Sequence, residues 1–252
     1  MRRPGSRART QRPPLSSTPM PDLSWTMPVA RWSFWSSTSE SVPEVAFVDP
    51  MMRRRLSALS RMALKVAGDC VDAQTRARVV FASRHGELRR TTDILRDIEA
   101  HKPVSPNAFS LSVLNAMTGL FGIVRGDRSP ATALSAGAQT LGYALLEGHA
   151  LHAEDPESPV LVVYADEPAD ARYGPVEQEV QRGAFALLLD ASAAPQGRLA
   201  CSIAENEPAS AAPARAFATQ SEALHHCLSG GTSAAWQGSS GTWQWSWHVG
   251  SA

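Results

Sequence analysis

The segment Pro130-Ala-Thr-Ala-Leu134 is a short apolar run, followed by Ser135-Ala-Gly137 and a helical pattern from Ala138 to Leu151. A side chain at the apex of such a strand–turn–helix faces unpaired helix N–H groups and the positive end of the helix dipole. That setting stabilises a thiolate or an oxyanion. The apex residues here are Leu134 and Ser135, preceded by Thr132. Leucine carries no nucleophile, and serine is a poor one without an adjacent base. His85 and Glu87, in Ser83-Arg-His-Gly-Glu87, have the residue types of an acid/base pair, although a structural turn is the simpler account.

The remaining candidate groups point away from metal and cofactor chemistry. His149-x-x-His152 precedes Glu154 and Asp155 at what reads as an exposed, acidic helix end, and it lacks the glutamate of a zinc-protease helix. His225-His226-Cys227 places its ligand types on adjacent helix positions, which point apart. The three cysteines, Cys70, Cys201 and Cys227, are odd in number and widely spaced, so no disulfide framework is expected. A reducing cytoplasm is the simplest compartment, and Cys70 reads as a small buried residue. No metal and no cofactor is expected.

These residues need a scaffold. Residues 29–35 alternate aromatics at period two, as a strand does. Asp49-Pro50 opens a helix carrying Leu56, Leu59, Ala63 and Val66, which Gly68 can end. Arg53-Arg54-Arg55 at its start suits a solvated face better than a docking patch for an acidic partner. Residues 78–83 read as a buried strand, and Leu88, Ile94, Leu95 and Ile98 mark a helix closed by Pro103. Residues 107–124 read as one helix apolar nearly all round, with Gly119 and Gly122 permitting close backbone approach. Residues 159–164 and 184–189 are continuous apolar strands of a sheet covered on both faces. Weaker strands are expected at 199–203 and 242–247, with a short helix near 219–228. Trp243, Trp245 and Trp247 share one strand face that must be covered. Strands alternating with helices give an α/β class, layered, with helices on the sheet faces.

Lys plus Arg and Asp plus Glu each number 24 in the 252 residues. Five of the arginines precede the first acid, Asp22, so the remainder is mildly acidic. That argues against a nucleic-acid surface, which needs clustered cations. No apolar run approaches the ~20 residues that span a bilayer. Residues 1–28, with six prolines, read as a disordered tail or a misassigned start, Met20 or Met27 being plausible true starts. The folded domain is placed at 29–252, with 206–216 and 229–241 as loops.

Four segments carry a family resemblance. They are residues 49–64 (Asp-Pro-Met-Met-Arg-Arg-Arg-Leu-Ser-Ala-Leu-Ser-Arg-Met-Ala-Leu), 81–87 (Phe-Ala-Ser-Arg-His-Gly-Glu), 105–121 with Gly126-Asp127, and 129–137 (Ser-Pro-Ala-Thr-Ala-Leu-Ser-Ala-Gly). Together they resemble the N-terminal half of a β-ketoacyl synthase, most specifically the chain length factors of aryl polyene and xanthomonadin-type pigment clusters. The resemblance implies a thiolase-like layered αβα fold. In ketosynthases a Thr-Ala-Cys-Ser turn holds the acyl chain on cysteine; aligned on Thr132-Ala133, that position falls on Leu134. The two catalytic histidines of ketosynthases, in His-Gly-Thr and Asn-His-Gly settings, have no counterpart after residue 137. The resemblance therefore implies no catalytic residue here. It implies a partner role: pairing with an active β-ketoacyl synthase as a heterodimer, serving acyl carrier protein-dependent synthesis. In such dimers the helix before the nucleophile strand and the strand itself pack near the dyad. Phe109, Leu114, Met117, Phe121 and Thr132 are the corresponding interface or tunnel candidates, core filling being the competing account. The alternative activity is an acyl-thioester hydrolase or acyltransferase using Ser135, with His85.

Overall fold

The computed structural model describes residues 22–36, 43–204, 217–239 and 241–250. Nine strands among these residues form two sheets. Strand β1 (Leu23–Val29) and strand β2 (Arg31–Trp35) follow one another with only Ala30 between them, yet they lie in different sheets. Next come helix α1 (Pro50–Arg53), helix α2 (Ala58–Cys70), strand β3 (Arg78–Ala82), helix α3 (Leu88–Glu99), helix α4 (Pro106–Ser110) and helix α5 (Ala116–Arg125). Strand β4 (Ala131–Leu134) leads through a 3-10 turn, Gly137–Gln139, into helix α6 (Thr140–Glu154). Strands β5 (Val160–Asp166), β6 (Gly183–Leu189) and β7 (Gly197–Ala204), helix α7 (Gln220–Gly230), and strands β8 (Ser233–Gln237) and β9 (Thr242–Val249) complete the order.

The larger sheet runs β2-β6-β5-β3-β4. β3 is parallel to β4 and β5, whereas β6 is antiparallel to β5 and β2. Every residue of β5 and β6 is buried, as continuous apolar runs require of strands covered on both faces. Helix α2 covers one face with Leu59, Met62, Ala63 and Val66, joined by Met117 and Phe121 of α5. Helices α6 and α7 pack on the other and separate it from the second sheet, β1-β7-β9-β8, which is antiparallel throughout. The second sheet's inward rows are aromatic: Trp25, Cys201, Trp245 and Ala234 lie side by side, as do Ile203, Trp243 and Trp236, with Leu23 at the exposed end of the second row. Trp243 and Trp245 are fully buried against the middle helices, the cover that three alternating tryptophans demanded.

Several sequence boundaries are corrected. Residues 23–28 are not tail but most of β1, whose Trp25, Met27 and Val29 alternate into the core despite Pro28. Residues 1–21 and the 206–216 loop lie outside the described residues. The expected loop 229–241 contains β8, which β9 pairs along its length. The helix expected from Pro50 is two helices. Asp49 caps the first, and Ser57 starts the second by accepting from the Ser60 N–H. Gly68 lies inside α2, where a Cβ would come within 2.7 Å of the Phe47 ring. Residues 107–124 also divide, into α4 and α5, and α5 ends on Gly126 at φ +59°. Leu95 and Ile98 on α3 face outward, each 53% exposed.

Candidate functional site

The C-terminal ends of β3, β4 and β5 converge around one buried carboxylate. Asp166, the last residue of β5, is fully buried. It accepts from Ser83 Oγ at 2.8 Å, Arg84 N at 2.7 Å and His85 N at 3.0 Å, and Tyr164 also bonds to it. Burial raises its pKa and these donors act against that rise. Its effect is to pin the turn after β3. Ser83 in turn accepts from Gly86 N at 2.8 Å, and Gly86 adopts φ +55°, a conformation that glycine takes without strain.

That turn sets His85 and Ser135, and it separates them chemically. His85 Nε2 pairs with Glu179 Oε1 at 2.7 Å, not with Glu87. Burial pushes the Glu179 carboxyl up, but the His85 bond and the Val180 and Ala169 N–H groups outweigh it and hold the pKa low. Glu87 instead accepts from Ser57 Oγ and Ser60 Oγ, each at 2.7 Å, tying α2 to the start of α3. His85 and Glu87 thus form no pair, and the partner of His85 lies 94 residues away in the same chain. Arg84 lies beside it and donates to the carbonyls of Gln178, at 2.5 Å, and Glu177, at 3.0 Å. Together they hold the 167–182 segment over the strand ends.

At the apex, β4 ends on Leu134, which is half-buried against the inter-sheet core. Ser135 donates its hydroxyl to the Arg84 carbonyl at 3.0 Å. Among the described residues no histidine or carboxylate bonds to Ser135. The Ala136 N–H is taken by Thr140 Oγ1 at 2.9 Å, and Gly142 N by Gln220 Oε1 at 2.9 Å. The helix start is thus partly occupied by the chain's own acceptors.

β4 is also the edge of the larger sheet, so one side of its backbone is unpaired within the described chain. Ala131 and Thr132 are exposed on it. Beside it, α5 presents Gly119, where an added Cβ would meet nothing within 4 Å, and Ile123, 69% exposed. A cleft of about 480 Å³ lies between them, lined by Gly119, Phe121, Gly122, Ile123, Asp127 and Ala131 among others. Phe109 is 65% exposed on α4 and Val113 is 48% exposed. Of the five interface or tunnel candidates, Phe109 and Thr132 lie at the surface, and Leu114 is half-buried with a methyl 3.2 Å from where a Gly86 Cβ would sit. Met117 and Phe121 are core residues under α5, with Phe121 also reaching the cleft wall.

The other singled-out groups pack into the interior or against aromatic rings. His152 is buried, not exposed as its acidic neighbours suggested, and His149 stacks on Trp25 at 6.3 Å. Burial lowers the pKa of both. His225 stacks on Phe34 at 3.9 Å. All three cysteines are buried free thiols; burial pushes the Cys70 thiol up to about 12 and the Cys227 thiol to about 11. Among the described residues no group of three or more His, Cys, Asp or Glu side chains is placed to hold a metal, and no helix is long and apolar enough to cross a membrane. The residues sequence reasoning missed are Asp166 and Glu179. Asp166 ends an apolar strand, a placement that marks a binding-end residue in α/β sheets; nothing local marked Glu179.

Two sheets with helices between them and a mixed five-stranded sheet ending in this strand–turn–helix form a thiolase-like fold. The family model for the β-ketoacyl synthase N-terminal domain matches residues 25–246, so the chain belongs to that family. A chain of a solved structure from Xenorhabdus doucetiae, described as a ketosynthase (ApeO) in complex with its chain length factor (ApeC), aligns with a TM-score of 0.67 at 22% identity. The match covers 88% of this chain and 99% of that one. A β-ketoacyl synthase from Burkholderia phymatum STM815 aligns at 0.50 and 14% identity, covering 64% of this chain and 50% of that one. The present chain thus matches about half the length of that synthase. No curated protein matches the chain.

Proposed function

We propose that the chain is a subunit of the chain length factor type. It pairs with an active β-ketoacyl synthase and shapes that enzyme's acyl tunnel, in acyl carrier protein-dependent, fatty-acid- or polyketide-like synthesis of an aryl polyene. The observation that carries the reading is the apex of β4. Leu134, half-buried at the end of that strand, is the residue onto which the resemblance, aligned on Thr132-Ala133, carries the synthases' acyl-bearing cysteine, and an isobutyl group forms no thioester. The exposed strand edge beside an apolar, glycine-bearing helix face supports a role in pairing, because an unpaired edge with exposed apolar neighbours is costly to leave in water. Phe109 and Thr132, both exposed, would contact that second subunit. Met117 and Phe121 would act from below, by setting the position of α5. In this reading Ser135 has no catalytic part, its proton being directed to a carbonyl.

The test is co-expression with a ketosynthase encoded beside it, followed by affinity capture and light scattering. A one-to-one complex is expected, and Thr132→Lys with Ile123→Lys should dissolve it while leaving each protein folded. Mass spectrometry of the isolated chain with acyl thioesters should find no adduct. An acyl adduct on this chain, or a ketosynthase that makes full-length product equally well without it, would overturn the reading.

A further inference from the structure

Strands β5 and β6 are antiparallel neighbours, and Asp166 pairs with Gly183 at their joint end. Residues 167–182 leave and re-enter the sheet there, with the Glu167 carboxylate and the Arg182 guanidinium 3.4 Å apart across the neck. A loop whose ends meet in this way is of the Ω type, and such loops are ordinarily packed by their own side chains. This one is not. Val180 is its one buried residue, and Tyr173 at its far end is 46% exposed.

What holds the loop is polar. Glu179 Oε1 pairs with His85 Nε2 at 2.7 Å and accepts from Val180 N at 2.8 Å, while Oε2 accepts from Ala169 N at 3.2 Å. One carboxylate thus joins both limbs of the loop to the turn after β3. Arg84 adds its bonds to the Glu177 and Gln178 carbonyls. On α3, Thr92 Oγ1 bonds to Tyr173 Oη at 2.7 Å, and Arg96 donates to Asp170 Oδ2 at 2.9 Å. Gln178 Nε2 donates to the Gln237 carbonyl at the end of β8 at 3.0 Å. The attachment also holds strain. Gln178 sits at φ +49°, a left-handed conformation that a residue with a Cβ keeps only where its surroundings impose it. Opening would trade a few bonds for bonds to water, relax Gln178 and uncover little apolar surface.

The floor under the loop is built differently. Asp166 fixes the backbone of the turn through Ser83 Oγ, Arg84 N and His85 N, with no help from the loop. Glu87 fixes the start of α3 to Ser57 and Ser60. A cleft of about 810 Å³ lies between the two parts, with Glu167, Pro168, Asp170 and Arg182 on the loop side and Gly86 and Leu88 on the floor side.

We propose that residues 167–182 are a lid, latched at Glu179 on His85 and at Tyr173 on Thr92, which opens as one body over a floor that stays folded. Opening frees the Arg84 guanidinium and the His85 imidazole at the carboxyl end of β3 and β5, the end at which α/β sheets receive ligands. Closed, the loop's own carbonyls and carboxylate occupy those two side chains. The lid uses no residue of the β4/α5 face, so its test and the pairing test fail separately.

Hydrogen exchange of the full chain, read by mass spectrometry, measures the opening. Amides of 169–180 should exchange at least about tenfold faster than those of β5 and β6. Glu179→Ala should speed exchange across the whole loop on the order of tenfold. Tyr173→Phe, at the opposite end, should speed it severalfold across the same residues. Protection of β3, β5 and β6 should be unchanged in both variants. Diethyl pyrocarbonate should modify His85 faster in both. Loop amides as slow as the strands, a variant effect confined to the amides beside the substitution, or loss of strand protection together with that of the loop would each overturn the proposal.

Discussion

Replacing Gly142 by alanine sets two effects of opposite sign against each other. In a helix interior, glycine to alanine ordinarily stabilises by up to about 1 kcal/mol. At position 142 an added Cβ would lie 2.5 to 2.7 Å from three ring atoms of Trp243. Ordinary carbon contacts sit at about 3.5–4.0 Å, so the ring would have to withdraw by about 1 Å. It has nowhere to go. Its Nε1 is bonded to Gln139 Oε1 at 2.8 Å, Tyr143 meets it edge-on at 5.2 Å, and Trp245 stacks on it at 6.4 Å. Overpacking a core of this kind costs about 1–3 kcal/mol, and the rigid surroundings favour the upper end. After the propensity gain the net loss is about 1–2 kcal/mol, or a fall in melting temperature of about 2–8 °C for a domain of this size. Urea unfolding followed by tryptophan fluorescence measures it. Gly119→Ala is the control, because nothing lies within 4 Å of its Cβ position; it should gain up to about 1 kcal/mol. If Gly142→Ala is as stable as the parent, the close approach of α6 to the tryptophan sheet is refuted.

Other outcomes follow from the same contacts. His149, His152 and His225 all have pKa values lowered from 6.5 by burial, so the unfolded chain binds more protons than the folded one just below that pH. Their contribution is complete above pH ~6.5 and is lost on acidification, so unfolding free energy should fall as pH drops from 7 toward 5. The double variant His149→Phe, His152→Leu should flatten that dependence. Asp166→Asn removes the carboxylate that collects the Ser83, Arg84, His85 and Tyr164 donors, and should cost about 2–4 kcal/mol by denaturant titration. With the Cys70 and Cys227 thiols pushed up to about 12 and about 11, and Cys201 raised well above its usual range, a disulfide dye at pH 8 should label the native chain slowly and all three cysteines rapidly in guanidinium. Fast labelling of the native chain would refute the burial of these thiols.

Which parts of this were legible depended on whether the signal was local. The β5 and β6 runs are apolar at nearly every position, and their sequences announced strands covered on both sides. The tryptophan alternation of β9 was equally plain. β1 was hidden because an arginine- and proline-rich stretch runs straight into it and Pro28 sits near its end, so composition masked the period-two pattern. β8, Ser-Ala-Ala-Trp-Gln, looked like its Gly/Ser/Ala surroundings; only pairing with β9 makes it a strand. The breaks at Ser57 and between α4 and α5 are caps and turns inside patterns that otherwise kept a helical period. At the site, the apex of β4 was legible because it is contiguous in sequence. The His85–Glu179 pair spans 94 residues, and no spacing rule foresees a contact of that range.

The single alanine between β1 and β2 has a consequence for synthesis. Leu23–Val29 pairs with Gly197–Ala204, and that strand takes its other neighbour from Thr242–Val249. β1 must therefore wait for strands made long after it before its indole side finds cover. Until then Trp25 and its tether at Ala30 hang from a half-built molecule, and closure of the second sheet is a late, slow event of high sequence separation. Until that sheet closes, the uncovered indole side is a surface through which partly folded chains can associate.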